Sequence, residues 1–211
     1  MALLSRHFLD TSRGRIVAAL QRGPRTVDEV AGELHLTPSG VRAHLTAMER
    51  DGVVRRTGRK RGTTRPSQLF ELSAETEQLL SRAYVPFLAQ LVEEFAGAMP
   101  PSQVEALLGR VGKALALALR GGPPRGSLEA RVGAASALLN EELGAITHVE
   151  RNGRFRIQGA GCPLSAVTGK HRAVCVAIEK LVSEIVGARV RECCDRSGRP
   201  RCCFEIQARA Q

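Results

Sequence analysis

The chain has 211 residues, of which 43% are hydrophobic and 25% charged, which excludes a disordered polymer and is enough for more than one small domain. No stretch approaches the ~18 apolar residues of a membrane span, no secretory signal is visible in residues 1–10, and six Phe, one Tyr and no Trp exclude a single-strand RNA reader built on stacking. The formal charge is +10 and unevenly spread: residues 1–73 carry 13 basic and 7 acidic side chains, residues 74–150 carry 6 and 9, and residues 151–211 carry 12 and 5. A polyanion partner at one or both ends, no membrane partner and a cytoplasmic location are therefore expected.

Residues 12–22 read as a helix with Ile16, Val17 and Leu20 on one stripe, ended by Gly23 and Pro24. Thr26 and Glu29 form a capping box for a second helix, whose apolar face is Val27, Val30, Ala31 and Leu34. Thr37 caps a third helix that has Pro38 in its first position, runs to about Arg50 and buries Val41, Leu45 and Met48. Its other face shows Ser39, Arg42, His44 and Thr46, small and polar residues suited to a major groove, so the two helices read as a helix-turn-helix. Residues 53–56 and 68–72 read as paired strands around a loop at 57–66, and six basic residues with no acid lie between Arg55 and Arg65. A basic, glycine-punctuated hairpin in this position is a wing, whose cations neutralise phosphates. The candidate contacts to double-stranded DNA are Thr37, Ser39, Arg42, His44 and Thr46 in the helix, and Arg59, Lys60, Arg61, Thr63, Thr64 and Arg65 in the wing.

Ser73 caps a long helix with Glu75 and Glu77 in its first turn and a kink expected at Pro86. Tyr84, Leu88, Leu91 and Phe95 recur at intervals of four, three and four, a seam for a second copy of the chain or for packing within it. A helix over 103–119, a linker over 121–126 and a helix from Ser127 to about Asn140 follow. Residues 146–150 and 154–157 read as a hairpin turning at Asn152 and Gly153. A helix over 171–186 buries Val174, Ile178, Leu181, Val182 and Ile185, and strands over 188–194 and 202–207 close the chain.

All six cysteines, Cys162, Cys175, Cys193, Cys194, Cys202 and Cys203, lie in the last 50 residues, at strand ends, a loop edge and a helix start from which thiolates can converge. Twelve residues separate Cys162 from Cys175, and 17 separate Cys175 from Cys193. Zinc ribbons favour tight pairs, so an iron–sulfur cluster, 4Fe–4S or 2Fe–2S, is expected, with zinc as the alternative. Free buried thiols and a thiol–disulfide switch remain open. Neighbouring cysteines do not easily ligate one iron, so each doublet supplies one ligand. Cys194 and Cys202 lie symmetrically about Gly198, at matching heights across a hairpin. The expected ligands are thus Cys162, Cys175, Cys194 and Cys202, with Cys193 and Cys203 as alternates, and Arg172, Arg189, Arg191 and Arg201 offsetting the charge.

The chain resembles the SufR-like iron–sulfur transcriptional regulators, a branch of the ArsR/DeoR-type winged-helix proteins, over most of its length. The resemblance rests on Leu36-Thr-Pro-Ser-Gly-Val-Arg-Ala-His-Leu45 in the recognition helix, and on Arg61-Gly-Thr-Thr-Arg-Pro66 and Leu69-Phe-Glu-Leu-Ser73 at the wing. Further on it rests on Ala83-Tyr-Val-Pro-Phe-Leu88, Cys162-Pro-Leu164, His171-Arg-Ala-Val-Cys175 and Gly198-Arg-Pro-Arg-Cys202-Cys-Phe204. It implies a dimeric DNA-binding repressor in which a cysteine-ligated cluster in the C-terminal domain controls operator affinity. By that likeness Cys162 and Cys175 match the first two ligands, and Cys202 or Cys203 the last. The third, expected near Arg189, is absent, so Cys193 or Cys194 replaces it, or a His such as His171 serves.

The expected architecture is α+β: an N-terminal winged helix-turn-helix over 1–73, a central helical dimerisation segment over 74–120, and a C-terminal α+β cysteine-containing sensor domain over 121–211. The competing class is a redox enzyme fused to a DNA-binding domain, but the chain has no Gly-rich nucleotide fingerprint, no His-Glu-x-x-His and no nucleophile elbow. A non-enzyme is expected.

Overall fold

Hydroxyl caps begin most of the helices at the N-terminal end of the chain. In the computed structural model, which describes residues 10–61, 66–120 and 124–207, Thr11 accepts from the Gly14 amide and opens α1 (Ser12–Leu20). Thr26 accepts from the Glu29 amide at 3.2 Å while the Glu29 carboxylate accepts from the Thr26 amide at 2.8 Å, the reciprocal pair that starts α2 (Val27–Leu34). That helix ends at His35 in the left-handed region, φ 54°, a conformation that histidine tolerates better than branched residues do. Thr37 accepts from the Gly40 amide at 3.2 Å and opens α3 (Pro38–Arg50). Strands β1 (Arg25–Thr26), β2 (Val54–Lys60) and β3 (Ser67–Leu72) pair antiparallel in the order β1-β3-β2. Ile16, Val17, Leu20, Val30, Val41, Leu45, Met48, Val54, Phe70 and Leu72 bury one core between the helices and this sheet.

Two expectations change here. β2 continues to Lys60, past the 53–56 reading, because a register shift between Arg56 and Arg59 absorbs the glycine at 58 and lets pairing resume. The helix after Ser73 is two helices, α4 (Ala74–Leu80) and α5 (Tyr84–Ala98). Pro86 lies in the first turn of α5, where its missing N–H is not needed, so it causes no kink.

The chain divides into two units, the first ending at Arg82 and the second beginning at Ala83. The boundary expected at 73 moves because Leu80 of α4 packs on the first core. The second unit holds α5, α6 (Pro101–Arg120), α7 (Leu128–Leu143), β4 (Thr147–Asn152), β5 (Arg154–Gly159), α8 (Ser165–Thr168), α9 (Val174–Val186), β6 (Arg189–Glu192) and β7 (Cys203–Gln207). Its antiparallel sheet has the order β4-β5-β7-β6. Ile157, Val190, Phe204 and Ile206 bury the inner sheet face against Val132, Ala135 and Leu139 of α7 and Leu181, Val182, Ile185 and Val186 of α9. Period-two alternation leaves Arg154, Arg156 and Glu205 on the outer face.

Residues 101–120 do not form part of a separate central segment. α6 approaches α9 so closely that a Cβ on Gly112 would meet the Ala177 carbonyl oxygen at 2.1 Å, so only glycine fits there. Ala116 of α6 is part of the same buried core as the sheet. A smaller cluster joins Val92 of α5 to Val104 and Leu108 of α6, Val167 of α8, and Val174 and Ala177 of α9.

Candidate functional site

The register that pairs Glu192 with Phe204 continues past the strands to a bridge between Asp195 and Arg201. It therefore sets Cys193 opposite Cys203 and Cys194 opposite Cys202, and alternation turns the two pairs to opposite faces. Cys193 and Cys203 are joined by a disulfide. Cys194 and Cys202 turn inward to a small cavity that Cys162 and Cys175 also line. These four are the free cysteines among the described residues. Leu139, Leu143, Leu164, Ile178 and Phe204 complete most of an apolar wall around about 20 Å³ of open space, room for one water. Cys175 lies in the first turn of α9, while Cys162, Cys194 and Cys202 are on irregular backbone outside helices and strands.

The thiols contact each other and their surroundings. The Cys203 amide donates to Cys194 Sγ at 3.3 Å, and Cys162 Sγ lies 3.7 Å from Thr168 Oγ1. The hydrogen bond between Cys175 and Cys194 pushes the Cys175 thiol up, burial adds to this, and Arg196 opposes it. At Cys194 the bond to Cys175 acts downward, but the bond to Cys202 and burial outweigh it and push the thiol up to about 12. Both groups are protonated at neutral pH without a ligand. Arg196 donates to Cys175 Sγ at 3.3 Å and is held by Glu192 at 3.0 Å, whose carboxylate also accepts from the Cys194 amide.

The charged residues at the cavity differ from those expected. Arg196, not Arg189, Arg191 or Arg201, supplies the nearby cation. Arg189 and Arg191 are exposed on the opposite sheet face from buried Val190, and Arg201 holds Asp195 at 2.6 Å. Arg172 reaches Glu192 at 3.5 Å. His171 Nε2 is 2.8 Å from Glu93 of α5 and does not line the cavity. Cys193 and Cys203, as a bridged pair, offer no thiolate. Part of the basic C-terminal charge is paired in place: Arg154 and Arg156 share Glu205, and Arg172 and Arg196 share Glu192, each pair of cations on one carboxylate.

In the first unit, Ser39, Arg42, Ala43, Thr46, Ala47 and Arg50 share one exposed side of α3. A groove runs between that side and the wing strands, lined by Arg42, Thr46, Arg56, Arg59 and Gln68 among others. Arg42, Arg59 and Arg61 are exposed and have no ion-pair partner among the described residues. Lys60 instead holds the capping-box Glu29, and mainly this hydrogen bond keeps the Glu29 carboxyl down at about 2. Arg55 pairs with Glu71, and Arg56 pairs with Glu49 while stacking over Phe70. Thr37 uses its hydroxyl oxygen to cap α3. His44 is half-buried on the flank of α3 towards Val41 and Met48, away from Ser39 and Thr46, because the helical period turns position 44 to that side. Thr63, Thr64 and Arg65 lie outside the described residues.

Residues 6–58 match the DprA winged helix domain. No curated protein matches the chain. Among solved structures the chain is similar to an apo mutant of ZitR from Lactococcus lactis, at 15% identity and a TM-score of 0.30, over 48% of this chain and 76% of that one. It is similar to the reduced transcriptional regulator YodB from B. subtilis, at 17% and 0.30, over 47% and 90%. It is also similar to Streptococcus pneumoniae FabT in complex with DNA, at 23% and 0.28, over 56% and 81%. With α1 to α3 packed on a three-stranded sheet whose β2 and β3 pair antiparallel, and with the domain match, the first unit holds a winged-helix domain.

Proposed function

We propose that the chain is a DNA-binding transcriptional regulator, acting as a homodimer and repressing its target, in which Cys162, Cys175, Cys194 and Cys202 hold an iron–sulfur cluster whose state sets operator affinity. The observation that carries this reading is that the four free thiols, brought from four separate parts of the second unit, line one apolar cavity. The donor set fits a cluster. It is all sulfur, its walls are mostly apolar, and Arg196 stands ready to offset the negative charge of the thiolates. The open space is smaller than a cluster, so loading requires the thiols to part. Three of the four are on irregular backbone, which can move without breaking a helix or strand. A bound cluster supplies a redox-active centre that oxidants or iron loss destroy.

A single zinc ion is the weaker reading. Structural zinc sites favour tight Cys-x2-4-Cys pairs, whereas twelve residues separate Cys162 from Cys175 here. A cluster spreads its ligands over several irons, so its sulfurs need not converge on one point.

Exposed cations and small residues on α3 support contact with DNA. Arg42 lies with Ser39 and Thr46 at the groove, the position from which a guanidinium reaches base edges, and exposed Arg59 and Arg61 supply cations for phosphates. Lys60 must leave Glu29 to join them. The dimer is supported by α5, where Tyr84 is 59% and Phe87 70% exposed, Leu88 and Leu91 lie on the surface, and Val92 is the buried residue. Such an apolar stripe on a soluble helix calls for a partner, and a second copy presents two recognition helices to two half-sites.

Three measurements test the proposal. Anaerobically purified protein is expected to carry iron and acid-labile sulfide with broad visible absorption. Cys162→Ser, Cys175→Ser, Cys194→Ser and Cys202→Ser each abolish it, whereas Cys193→Ser and Cys203→Ser retain much of it; full cluster content in the first four variants removes the site. Arg42→Ala is expected to cost about 1–3 kcal/mol on the operator and much less on random DNA, measured by titration at fixed salt. Equal losses on both make Arg42 a phosphate contact. Leu88→Glu is expected to sediment as a monomer, and an unchanged dimer moves the interface away from α5.

A further inference from the structure

The hairpin that supplies two of the cavity thiols carries a second pair of sulfurs on its other face, and nothing in the cluster reading uses them. Cys193 is exposed and Cys203 is 5% exposed, and they are bonded to each other while the four cysteines around the cavity are free. The bridge closes a ten-residue separation that contains both Cys194 and Cys202. It also fixes the backbone that the inward thiols touch. The Cys193 amide donates to the Cys203 carbonyl at 2.8 Å, and the same carbonyl lies 3.8 Å from Cys194 Sγ, to which the Cys203 amide donates at 3.3 Å. Beyond the bridge the hairpin is closed by the Asp195–Arg201 pairing and its ion pair.

We propose that Cys193 and Cys203 form a reversible dithiol–disulfide couple, a modification site for peroxides on the outer face of the sheet, and that closing it locks Cys194 and Cys202 into the cavity. The couple goes beyond the cluster reading and does not depend on it, since its two sulfurs are those the cavity leaves out. In the oxidation, one sulfur attacks a peroxide oxygen. The O–O bond breaks, the departing oxygen leaves as water, and a sulfenic acid forms. The second sulfur displaces the sulfenic oxygen, which leaves as a second water, so two thiols and one hydrogen peroxide give one disulfide and two waters. In the reverse direction a dithiol attacks the exposed Cys193 sulfur, the S–S bond breaks and the Cys203 sulfur leaves and takes up a proton. The reductant's second sulfur then releases Cys193 and becomes oxidised itself. With the pair open, the Cys203 amide and carbonyl are no longer clamped against Cys194, and the inward thiols become reachable.

The test uses the full chain in the presence of a chelator, so no iron enters the readout and its failure is separate from failure of the cluster reading. Protein treated with hydrogen peroxide, or with dithiothreitol that is then removed, is alkylated with iodoacetamide, digested and analysed by mass spectrometry. Peroxide is expected to give a peptide pair linked through Cys193 and Cys203 that dithiothreitol abolishes, and Cys194 and Cys202 are expected to alkylate several-fold faster in the reduced protein. Cys193→Ser is expected to lose the link and alkylate at the fast rate in both states, while Cys194→Ser keeps the link. A link through another pair, Cys193 remaining free after peroxide, or equal alkylation rates of Cys194 and Cys202 in the two wild-type states overturns the proposal. The wild-type comparison stands even where a variant at buried Cys203 fails to fold.

Discussion

Successive side chains of a strand point to opposite faces of a sheet, and at the end of the β6–β7 hairpin this alternation divides the four adjacent cysteines into an inward and an outward pair. Everything assigned to the second unit depends on that division. A register slip of one residue on one strand would send Cys193 or Cys203 into the cavity and break the bridge opposite. The slip is resisted by the buried residues of the two strands: a slip of β6 would turn Val190 out to water, and a slip of β7 would turn out Phe204 and Ile206. The core therefore sets the register, and the register sets which sulfurs face inward.

The cavity is joined mechanically to α5. Cys162 and Cys175 flank a segment that includes α8 and the entry to α9, and Val167 and Val174 in that segment form the bed on which Val92 of α5 lies. His171, four residues before Cys175, binds Glu93 on the next position of α5. Moving the two thiols outward for a cluster must therefore shift the surface under α5, the same helix that presents Tyr84, Phe87, Leu88 and Leu91 to solvent. In a dimer formed through that face, occupancy of the cavity and the geometry of the dimer share one helix, which is the kind of two-state element that ligand-dependent regulation needs.

Local interactions were the legible part of the sequence. The caps at Thr26, Thr37 and Ser73 act within three residues, and each is present, accepting from an amide three residues on. The helix-turn-helix, the Asn152–Gly153 turn and the position of Cys175 in the first turn of its helix are local in the same sense. Facing of Cys194 to Cys202 is also readable, since a turn centred on Gly198 sets both. That same symmetry applies to Cys193 and Cys203, so spacing alone could not tell that one pair would be bridged. Arg196 was missed because it falls in the turn itself, and only its i,i+4 relation to Glu192 hinted at a fixed guanidinium beside the thiols. The close crossing of α6 and α9 was invisible because Gly112 looks like any helix glycine until Ala177 is seen against it. The surroundings of His44 and Lys60 are hidden from spacing for a similar reason: one is turned by the helical period towards the core flank, and the other is paired with a carboxylate 31 residues away.

The central claim is that the state of the four-thiol cavity governs how the winged helix engages DNA. It is tested most directly by measuring operator affinity for one anaerobic preparation at fixed salt, before and after the iron is removed by a chelator, alongside the Cys175→Ser protein. The account predicts that chelation changes the affinity several-fold and that Cys175→Ser has the affinity of the stripped protein whether or not chelator is present. The same affinity before and after iron removal, in a preparation shown to have carried the cluster, would contradict it.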